Sequence, residues 1–219
     1  MNKNIISLEN IAVSFDGEKI LNDINLDIKD KEFVTFLGPS GCGKTTTLRI
    51  IGGFLKPDSG IVRFDGKEIN NIPPYKRNVN TVFQRYALFP HLNVYDNITF
   101  PLELDGTQID KDFIQELLET LNISDKQEML PAMLSGGEQQ RVAIIRALAT
   151  KPAIILADEP TGNLDSQNSS EVIALLKETS KKYEQTIIMI THNRSIAQTA
   201  DRVLQVSDGT LTDFGRCRE

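Results

Sequence analysis

The sequence predicts an α/β protein with a mostly parallel core sheet, an antiparallel β subdomain at the N-terminal end and a helical subdomain inserted in the middle. The core follows from two nearly continuous apolar runs, Ala153–Ala157 and Thr186–Thr191, because strands buried on both faces of a parallel sheet have this composition. A helical segment over roughly residues 168–183 joins these runs as a βαβ unit. The N-terminal subdomain follows from the turn pair Asp16-Gly17, which predicts a hairpin.

The front of the chain is predicted to contain four strands and one helix. Glu32–Leu37 is a compact apolar strand that runs directly into Gly38. Lys44–Phe54 carries apolar residues at helical spacing, and the segment Pro57–Gly60 ends that helix. The predicted strands are, in order, Ile5–Phe15, Ile20–Ile28, Glu32–Leu37 and Ile61–Phe64.

The middle of the chain changes to helical patterns. Asp110–Leu121 places its apolar residues on one stripe, which predicts an amphipathic helix. Gly137–Thr150 is predicted to be a second helix, and Pro152 marks its end. Near the C-terminal end, Arg202–Val206 and the turn pair Asp208-Gly209 predict a closing hairpin.

Length and composition are those of a folded globular protein. The chain has 219 residues, 40% hydrophobic and 25% charged, which suits one large domain or two small ones. Its net charge of −6 is a poor match to nucleic acid, and no apolar run approaches the ~20 residues of a membrane-spanning helix. Cys42 and Cys217 are far apart in sequence, which argues against a disulfide framework or a zinc site. We expect a reducing cytosolic environment and no nucleic-acid partner.

The segment after the third predicted strand has the pattern G-x-x-x-x-G-K-[ST]. Its glycines let backbone amides approach phosphate oxygens, and the helix N-terminus that follows favours negative charge. Lys44 would supply a cation, and the Thr45 hydroxyl a ligand for Mg²⁺. Strand, loop and helix occur in the required order, so we predict a phosphate-binding loop rather than an ordinary glycine-rich turn. The pattern comprises Gly38, Pro39, Ser40, Gly41, Cys42, Gly43, Lys44 and Thr45.

Cys42 fills a variable position of that loop. Two interpretations are open, a buried bystander and a nucleophile whose pKa the helix N-terminus lowers; the first is favoured.

Two acids follow the apolar run Ile154–Ala157. A core strand that ends in carboxylates delivers them to the sheet edge where ligands bind in α/β proteins. Asp158 is predicted to hold Mg²⁺, directly or through water. Glu159 is predicted to orient or deprotonate the water that attacks the γ-phosphate. Without the phosphate-binding loop, the same pair would indicate only a solvated strand end.

Two more polar residues end predicted strands at this edge. His192 follows Thr186–Thr191, and we predict that it contacts the γ-phosphate rather than serving only the fold. Gln84 follows the predicted strand Val79–Phe83. Its side chain is interpreted as a ligand of water or Mg²⁺, with a surface amide as the alternative.

The segment Leu134–Glu138 precedes the helix predicted from Gly137 and has two interpretations. Ser135 and Glu138 match a capping box, which would only start the helix. Adjacent Gly136 and Gly137 weaken a helical first turn but suit close approach of a phosphate. The pattern alone leaves both the cap and the anion site open.

In this order, the motifs resemble the nucleotide-binding subunit of ATP-binding cassette (ABC) transporters, over essentially the whole chain. The resemblance implies a P-loop NTPase core forming one domain over residues 1–219, with the helical subdomain at about residues 86–150. It also implies ATP hydrolysis with Mg²⁺, with Lys44, Glu159 and His192 as the catalytic residues. The segments that carry it are GPSGCGKTT (through Thr46), Gln84, LSGGE with QQRVA, IILADE, Asn163-Leu164-Asp165 and His192.

The resemblance further implies an assembly. Two copies would pair head to tail, each ATP lying between one phosphate-binding loop and the partner's segment Ser135–Glu138. Phe15 would stack on adenine, and Asp165 would communicate across the dimer. The segment Gln84–Ile98 would dock a helix of a membrane-spanning permease, which places the chain at the cytoplasmic face of the membrane. A homodimer is expected, and pairing of two different chains stays open.

Two branches of the family are represented. Tyr86–Leu92 is similar to importer ATPases for polyamines or sugars, whereas LSGGEQQRVAIIRAL and DEPTGNLDS are similar to subunits for lipoprotein release or for peptide and macrolide efflux. The usual fifth signature residue is Gln, and here it is Glu138. Cargo and direction therefore stay open. The alternative functions are a soluble ABC ATPase that does not transport, a regulator without turnover and a phosphate-loop kinase.

Overall fold

Two β-sheets and six α-helices make up the fold in the computed structural model, which describes residues 3–216. One sheet has the strand order β2-β1-β4-β5 and the other β10-β9-β3-β8-β7-β6. The strands are β1 Asn4–Phe15, β2 Glu18–Lys29, β3 Phe33–Leu37, β4 Ser59–Phe64, β5 Lys67–Glu68, β6 Val79–Val82, β7 Ile154–Asp158, β8 Thr186–Thr191, β9 Arg202–Ser207 and β10 Thr210–Arg216. The helices are α1 Lys44–Gly52, α2 Val94–Leu104, α3 Lys111–Thr120, α4 Gly136–Ala149, α5 Ser166–Lys182 and α6 Arg194–Ala197.

The four-stranded sheet is antiparallel and contains the predicted N-terminal hairpin. Leu8 of β1 pairs with Leu26 of β2, and β1 also pairs with β4. The turn residues Asp16 and Gly17 have φ of 50° and 82°. Two successive residues with positive φ fit the twist of a tight hairpin, which is why the Asp-Gly pair was a reliable signal.

The six-stranded sheet is parallel from β9 through β6, and only β10 runs antiparallel at its edge. In register, Leu37 pairs with Thr191, Asp158 with Ile190, and Val82 with Ala157. The carboxyl ends of β3, β6, β7 and β8 therefore lie side by side, and the loops that follow them form one edge of the sheet.

Both faces of this sheet are buried, as its apolar strands predicted. Ile188 and Ile190 belong to the core beneath the antiparallel sheet and α1, whereas Ile187 and Met189 belong to the core beneath the helical subdomain and α5. All four side chains have 0% exposure. The near-continuous apolar composition follows because alternate residues enter different cores.

The helical subdomain consists of α2, α3 and α4, of which α2 was not predicted. Val94, Ile98 and Leu102 of α2 are buried at helical spacing in the same core as α4. Asn93 caps the helix by accepting a hydrogen bond from the Asp96 amide at 2.7 Å. Pro101 lies inside the helix, which lowers its propensity and concealed it in the sequence.

Arg77 links the C-terminal end of α1 to the neighbouring loop through hydrogen bonds. Its guanidinium donates to the carbonyls of Ile50 at 2.8 Å, Ile51 at 2.7 Å, Ile69 at 2.7 Å and Ile72 at 2.9 Å. Burial lowers the pKa of Arg77 from its ordinary value. The carbonyls at a helix C-terminus lack partners within the helix, so a planar cation with several donors satisfies them well.

Candidate nucleotide-binding site

The loop between β3 and α1 has the backbone geometry of a phosphate cradle. Gly41 and Gly43 have φ of 81° and 105°, conformations that side chains rarely adopt. At Gly38, a Cβ atom would come within 2.2 Å of the Val206 carbonyl oxygen, so no larger residue fits there. Gly43 caps α1 without a side-chain hydrogen bond, and the first amides of that helix remain able to bind an anion.

Lys44 is folded back over its own loop. Its side chain is 5% exposed, and Nζ donates to the carbonyl oxygens of Gly38 at 2.9 Å and Pro39 at 2.6 Å. These contacts hold the ammonium at the mouth of the loop. Cys42 is buried beside it, with Sγ 3.6 Å from Lys44 Nζ, which fits the interpretation of a packing residue.

Thr45 and Asp158 join the phosphate loop to the end of β7. Thr45 Oγ1 donates to Asp158 Oδ1 at 3.2 Å. Burial raises the pKa of Asp158, the neighbouring carboxylate of Glu159 raises it further, and the Thr45 hydrogen bond opposes the change. A buried carboxylate that is costly to ionise, paired with a hydroxyl oxygen, fits a Mg²⁺ site, because Mg²⁺ prefers oxygen ligands and compensates the negative charge.

Glu159 and His192 face one another from the ends of β7 and β8. His192 Nδ1 lies 3.6 Å from Glu159 Oε2. Glu159 has φ of 47°, in the left-handed region, and its amide donates to the Ile190 carbonyl at 3.2 Å. Such backbone strain costs about 1–3 kcal/mol and is typical of functional sites, where it fixes the direction of a side chain.

Gln84 lies two residues beyond β6 and is exposed. A Cβ atom on Gly162 would lie 2.5 Å from Gln84 Nε2, so the amide side chain packs on the loop that follows Glu159. The Gln84 carbonyl also accepts a hydrogen bond from Asn163 Nδ2 at 2.9 Å. Both the side chain and the backbone of Gln84 thus contact this loop.

Of the two interpretations left open for Ser135–Glu138, the capping box is confirmed. Glu138 Oε2 accepts a hydrogen bond from the Ser135 amide at 2.7 Å, and Ser135 Oγ accepts one from the Glu138 amide at 3.4 Å. The helix begins at Gly136, one residue earlier than predicted. Ser135 remains exposed, so the cap leaves its hydroxyl at the surface.

Asp165 caps α5 and is linked to Gly137 of α4 through Asn168. Its carboxylate accepts from the Asn168 amide at 2.9 Å and from Asn168 Nδ2 at 2.6 Å, and these two hydrogen bonds lower the pKa of Asp165. Asn168 Oδ1 would lie 2.6 Å from a Cβ on Gly137. An alanine at position 137 would therefore force the Asn168 amide group to move.

Phe15 and Thr46 complete the predicted set. Phe15 ends β1 with 47% of its surface exposed, as expected of an aromatic ring that could stack on a base. Thr46 lies half-buried in the first turn of α1. Cys217 lies outside the described residues.

Three contact residues near the site were not predicted. Asn168 packs on Gly137, and Tyr86 packs on Gly136. Arg146 donates to the carbonyls of Ala87 at 2.7 Å and Tyr86 at 3.1 Å. The spacing Asp165-x-x-Asn168 is typical of a helix cap and could have indicated the first of these. The partners of Tyr86 and Arg146 lie 50 or more residues away in sequence, and no local pattern indicates them.

The fold and the site together define a phosphate-loop nucleotide-binding domain with an inserted helical subdomain. Residues 21–162 match the model of the protein family described as "ABC transporter". The chain belongs to this family, which confirms the resemblance and the fold class predicted from the sequence.

Curated relatives are importer ATPases by name. The spermidine/putrescine import ATP-binding protein PotA of Acetivibrio thermocellus is 47% identical over 214 residues, covering 96% of this chain and 61% of its own length. The protein of the same name in Clostridium novyi is 45% identical over 218 residues, covering 98% and 63%. The chain thus spans about three fifths of the length of these relatives.

Solved structures of similar fold are cassettes too. The dimeric structure of a post-hydrolysis state of the ATP-binding cassette MJ0796, bound to ADP and Pi, is 33% identical with a TM-score of 0.84, covering 98% of this chain and 99% of that one. CbiO1 from Clostridium perfringens, part of the transporter complex CbiONQ, is 30% identical with a TM-score of 0.87, covering 96% and 87%. Among residues 3–216, none of the helices combines the length and hydrophobicity of a membrane span.

Proposed function

We propose that this chain is the ATP-binding and ATP-hydrolysing subunit of an ABC transporter and that it acts on a partner permease. The observation that carries the proposal is the convergence of the phosphate loop with two carboxylates at one sheet edge, where Thr45 Oγ1 lies 3.2 Å from Asp158 Oδ1. Phosphate ligands, a Mg²⁺ ligand and a general base must meet within a few ångströms for phosphoryl transfer to water.

Each residue at this edge takes a distinct part in hydrolysis. The backbone N–H groups of the loop, which Pro39 lacks, and the Lys44 ammonium bind the phosphates. Thr45 and Asp158 would hold Mg²⁺, with Gln84 as a further proposed ligand, and the ion would supply charge compensation at the phosphate oxygens. Glu159 orients and deprotonates the attacking water, and His192, 3.6 Å from the carboxylate, contacts the γ-phosphate.

Lys44 changes partners when nucleotide binds. Its ammonium now bonds two carbonyl oxygens, and a phosphate oxygen competes well with these because it carries a full negative charge. A hydrogen bond between charged groups is stronger and shorter than one to a neutral carbonyl. The residue is therefore placed to bind the β- and γ-phosphates without first leaving the loop.

A second copy would complete the site. The segment Ser135–Glu138, of which Ser135 is exposed, contributes a hydroxyl and the first amides of α4, which suit a γ-phosphate bound to the other molecule. Phe15 stacks on adenine in this arrangement, and Asp165 faces the partner. The dimeric state of the MJ0796 cassette supports such pairing. Closure of the dimer on ATP would bias two conformations of the permease.

The permease would dock on the segment Gln84–Ile98, beside which Phe83 is 43% exposed. The names of the relatives favour import of polyamines such as spermidine and putrescine as the transport reaction. In this arrangement the chain works at the cytoplasmic face of the membrane and leaves recognition of the cargo to its partners.

The test combines phosphate release with light scattering on the purified chain. We expect Mg²⁺-dependent release of phosphate from ATP and a monomer–dimer equilibrium that shifts toward the dimer with ATP. Absence of both would overturn the proposal. ATPase activity without recovery in the membrane fraction of cells that contain the permease would favour the soluble ABC ATPase instead.

A further inference from the structure

Lys126 and Glu138 form an ion pair next to the segment that starts α4. Lys126 ends a short 3₁₀ turn, Ser124–Lys126, and its Nζ lies 3.1 Å from Glu138 Oε1. The two side chains are 27% and 18% exposed, more enclosed than in most ion pairs of this protein. Partial burial reduces screening by water, so the pair interacts more strongly than one on an open surface.

The Glu138 carboxylate uses its two oxygens for two purposes. Oε2 accepts the Ser135 amide at 2.7 Å and closes the capping box, while Oε1 faces Lys126. The Ser135 hydrogen bonds and Lys126 lower the pKa of Glu138, so its charge is present at neutral pH. A fixed negative charge therefore lies within one helical turn of Ser135.

This charge is a disadvantage for the proposed site. A carboxylate in the first turn stabilises the helix, but the same charge repels a phosphate that approaches the same amides. Asp125 and Glu128 flank Lys126 in the sequence, so the segment that carries the lysine is otherwise acidic. Lys126 pairs with Glu138, whereas Arg141, three residues further along α4, pairs with Glu171.

We infer that Lys126 is a positioning residue that neutralises Glu138, so that the N-terminus of α4 can accept the γ-phosphate bound to a second copy of this chain. The inference rests on the proposed function and adds to it a residue outside the recognised motifs. Lys126 acts through Glu138 and has no assigned contact with the nucleotide. Its contribution depends on the acid at position 138, and this dependence separates it from a general structural role.

The experiment is a double-mutant cycle with variants Lys126→Met, Glu138→Gln and both together. ATP-driven dimerisation is measured in the Glu159→Gln background by light scattering, and phosphate release in the background with Glu159 intact. We expect Lys126→Met alone to raise the ATP concentration for half-maximal dimerisation about tenfold. In the Glu138→Gln background, Lys126→Met should change the ATP concentration for half-maximal dimerisation by less than about twofold.

Three further measurements sharpen the test. Lys126→Arg should behave like the parent chain, because it keeps the charge. The defect of Lys126→Met should shrink as salt rises from 50 to 500 mM, roughly as expected for screened repulsion. Lys182→Met, which removes a surface ion pair with Glu116, is the matched control and should leave dimerisation unchanged.

The outcomes separate the inference from the proposed function. An equal effect of Lys126→Met with Glu138 and with Gln at that position, or no effect at all, overturns the inference and leaves the proposed function intact. If the parent chain neither dimerises with ATP nor hydrolyses it, both are overturned. Should Lys126→Met fold poorly, as judged by thermal unfolding, Lys126→Gln replaces it in the same cycle, and Lys126→Arg remains the charge-preserving control.

Discussion

The hydroxyl of Tyr86 lies directly over Gly136, where a Cβ atom would come within 2.8 Å of the phenol oxygen. Tyr86 follows Gln84 on the loop after β6, and Gly136 is the first residue of α4. The contact joins the loop proposed to face the permease to the segment proposed to face a second nucleotide. Burial raises the pKa of the Tyr86 hydroxyl, which keeps it protonated at neutral pH.

Substitution Gly136→Ala should lower the free energy of unfolding by about 1 kcal/mol, because the new methyl group overlaps the phenol oxygen. In a Tyr86→Phe background the nearest ring atom, Cζ, would lie 3.7 Å from that methyl, an ordinary contact. The same substitution should then be neutral or stabilising. Urea denaturation of the parent chain, the two single variants and the double variant measures this. An equal loss of stability from Gly136→Ala in both backgrounds would show that the Tyr86 hydroxyl is not what opposes the methyl group.

Substitution Glu159→Gln should leave ATP binding intact and reduce phosphate release about 10²–10⁴-fold, since the amide cannot accept the proton of the attacking water. The ATP-bound dimer should then accumulate, as seen by size-exclusion chromatography. Activity equal to that of the parent chain would refute the assigned role of Glu159.

Substitution Lys44→Ala should raise the dissociation constant for ATP about 10–100-fold, because a charge-assisted hydrogen bond is lost. Calorimetry measures the constant directly. Lys56→Ala is the control, since this exposed lysine bonds the side chain of Asn71. Unchanged affinity in Lys44→Ala would contradict the function of the loop.

Substitution Asp158→Asn should stabilise the nucleotide-free protein while abolishing Mg²⁺-dependent hydrolysis. The folded-state pKa of Asp158 is raised above its value of 3.8 in the unfolded chain, mainly by burial. The carboxyl group thus favours folding below that value, and this contribution is lost as pH rises through the folded-state pKa.

The increase in the free energy of unfolding caused by Asp158→Asn is therefore expected to be largest at neutral pH and to become smaller as the pH falls. We expect the free energy of unfolding to rise by about 1 kcal/mol or less, because the carboxyl group is partly solvated. The midpoint of thermal unfolding should rise by roughly 2–4 °C at most. Unfolding is followed with EDTA at several pH values, from below 3.8 up to neutral pH. A loss of stability at pH 7 would show that ionised Asp158 is compensated within the chain.

Substitution Arg77→Lys should destabilise the fold by about 2–4 kcal/mol, because an ammonium cannot reproduce the planar arrangement that serves four carbonyls. Guanidinium chloride denaturation measures the loss. Arg85→Lys, at an exposed position, should change stability by less than about 0.5 kcal/mol. A small effect at Arg77 would mean that water replaces the missing donors.

The strands of the parallel sheet could be predicted almost to the residue, because apolar composition and flanking turn residues coincide there. Thr186–Thr191 agrees at both ends with β8. Helix α2 could not be predicted, because Pro101 and several aromatic and β-branched residues lower its helix propensity. They obscure the helical spacing of its buried residues Val94, Ile98 and Leu102. Tertiary packing against α4 determines this helix more than propensity does.

The candidate site was predictable where chemistry and strand ends coincide. Lys44, Asp158, Glu159 and His192 each follow or adjoin a strand whose carboxyl end the topology brings to one edge. The supporting contacts were not predictable, because they depend on the distance between loops in the folded chain. Asn168 over Gly137 is one such contact, and Lys126 beside Glu138 is another.

Arg146 connects helix α4 to the loop that follows β6. Because its guanidinium bonds the carbonyls of Tyr86 and Ala87, that stretch of backbone is fastened to α4. Ser135 lies eleven residues away along the same helix, roughly 16 Å at 1.5 Å per residue. A displacement of Tyr86 by a docked protein would therefore reach α4 at two points, through Arg146 near its C-terminal end and through Gly136 at its start. The same two contacts would carry a movement of Ser135 back to Tyr86 when a nucleotide binds.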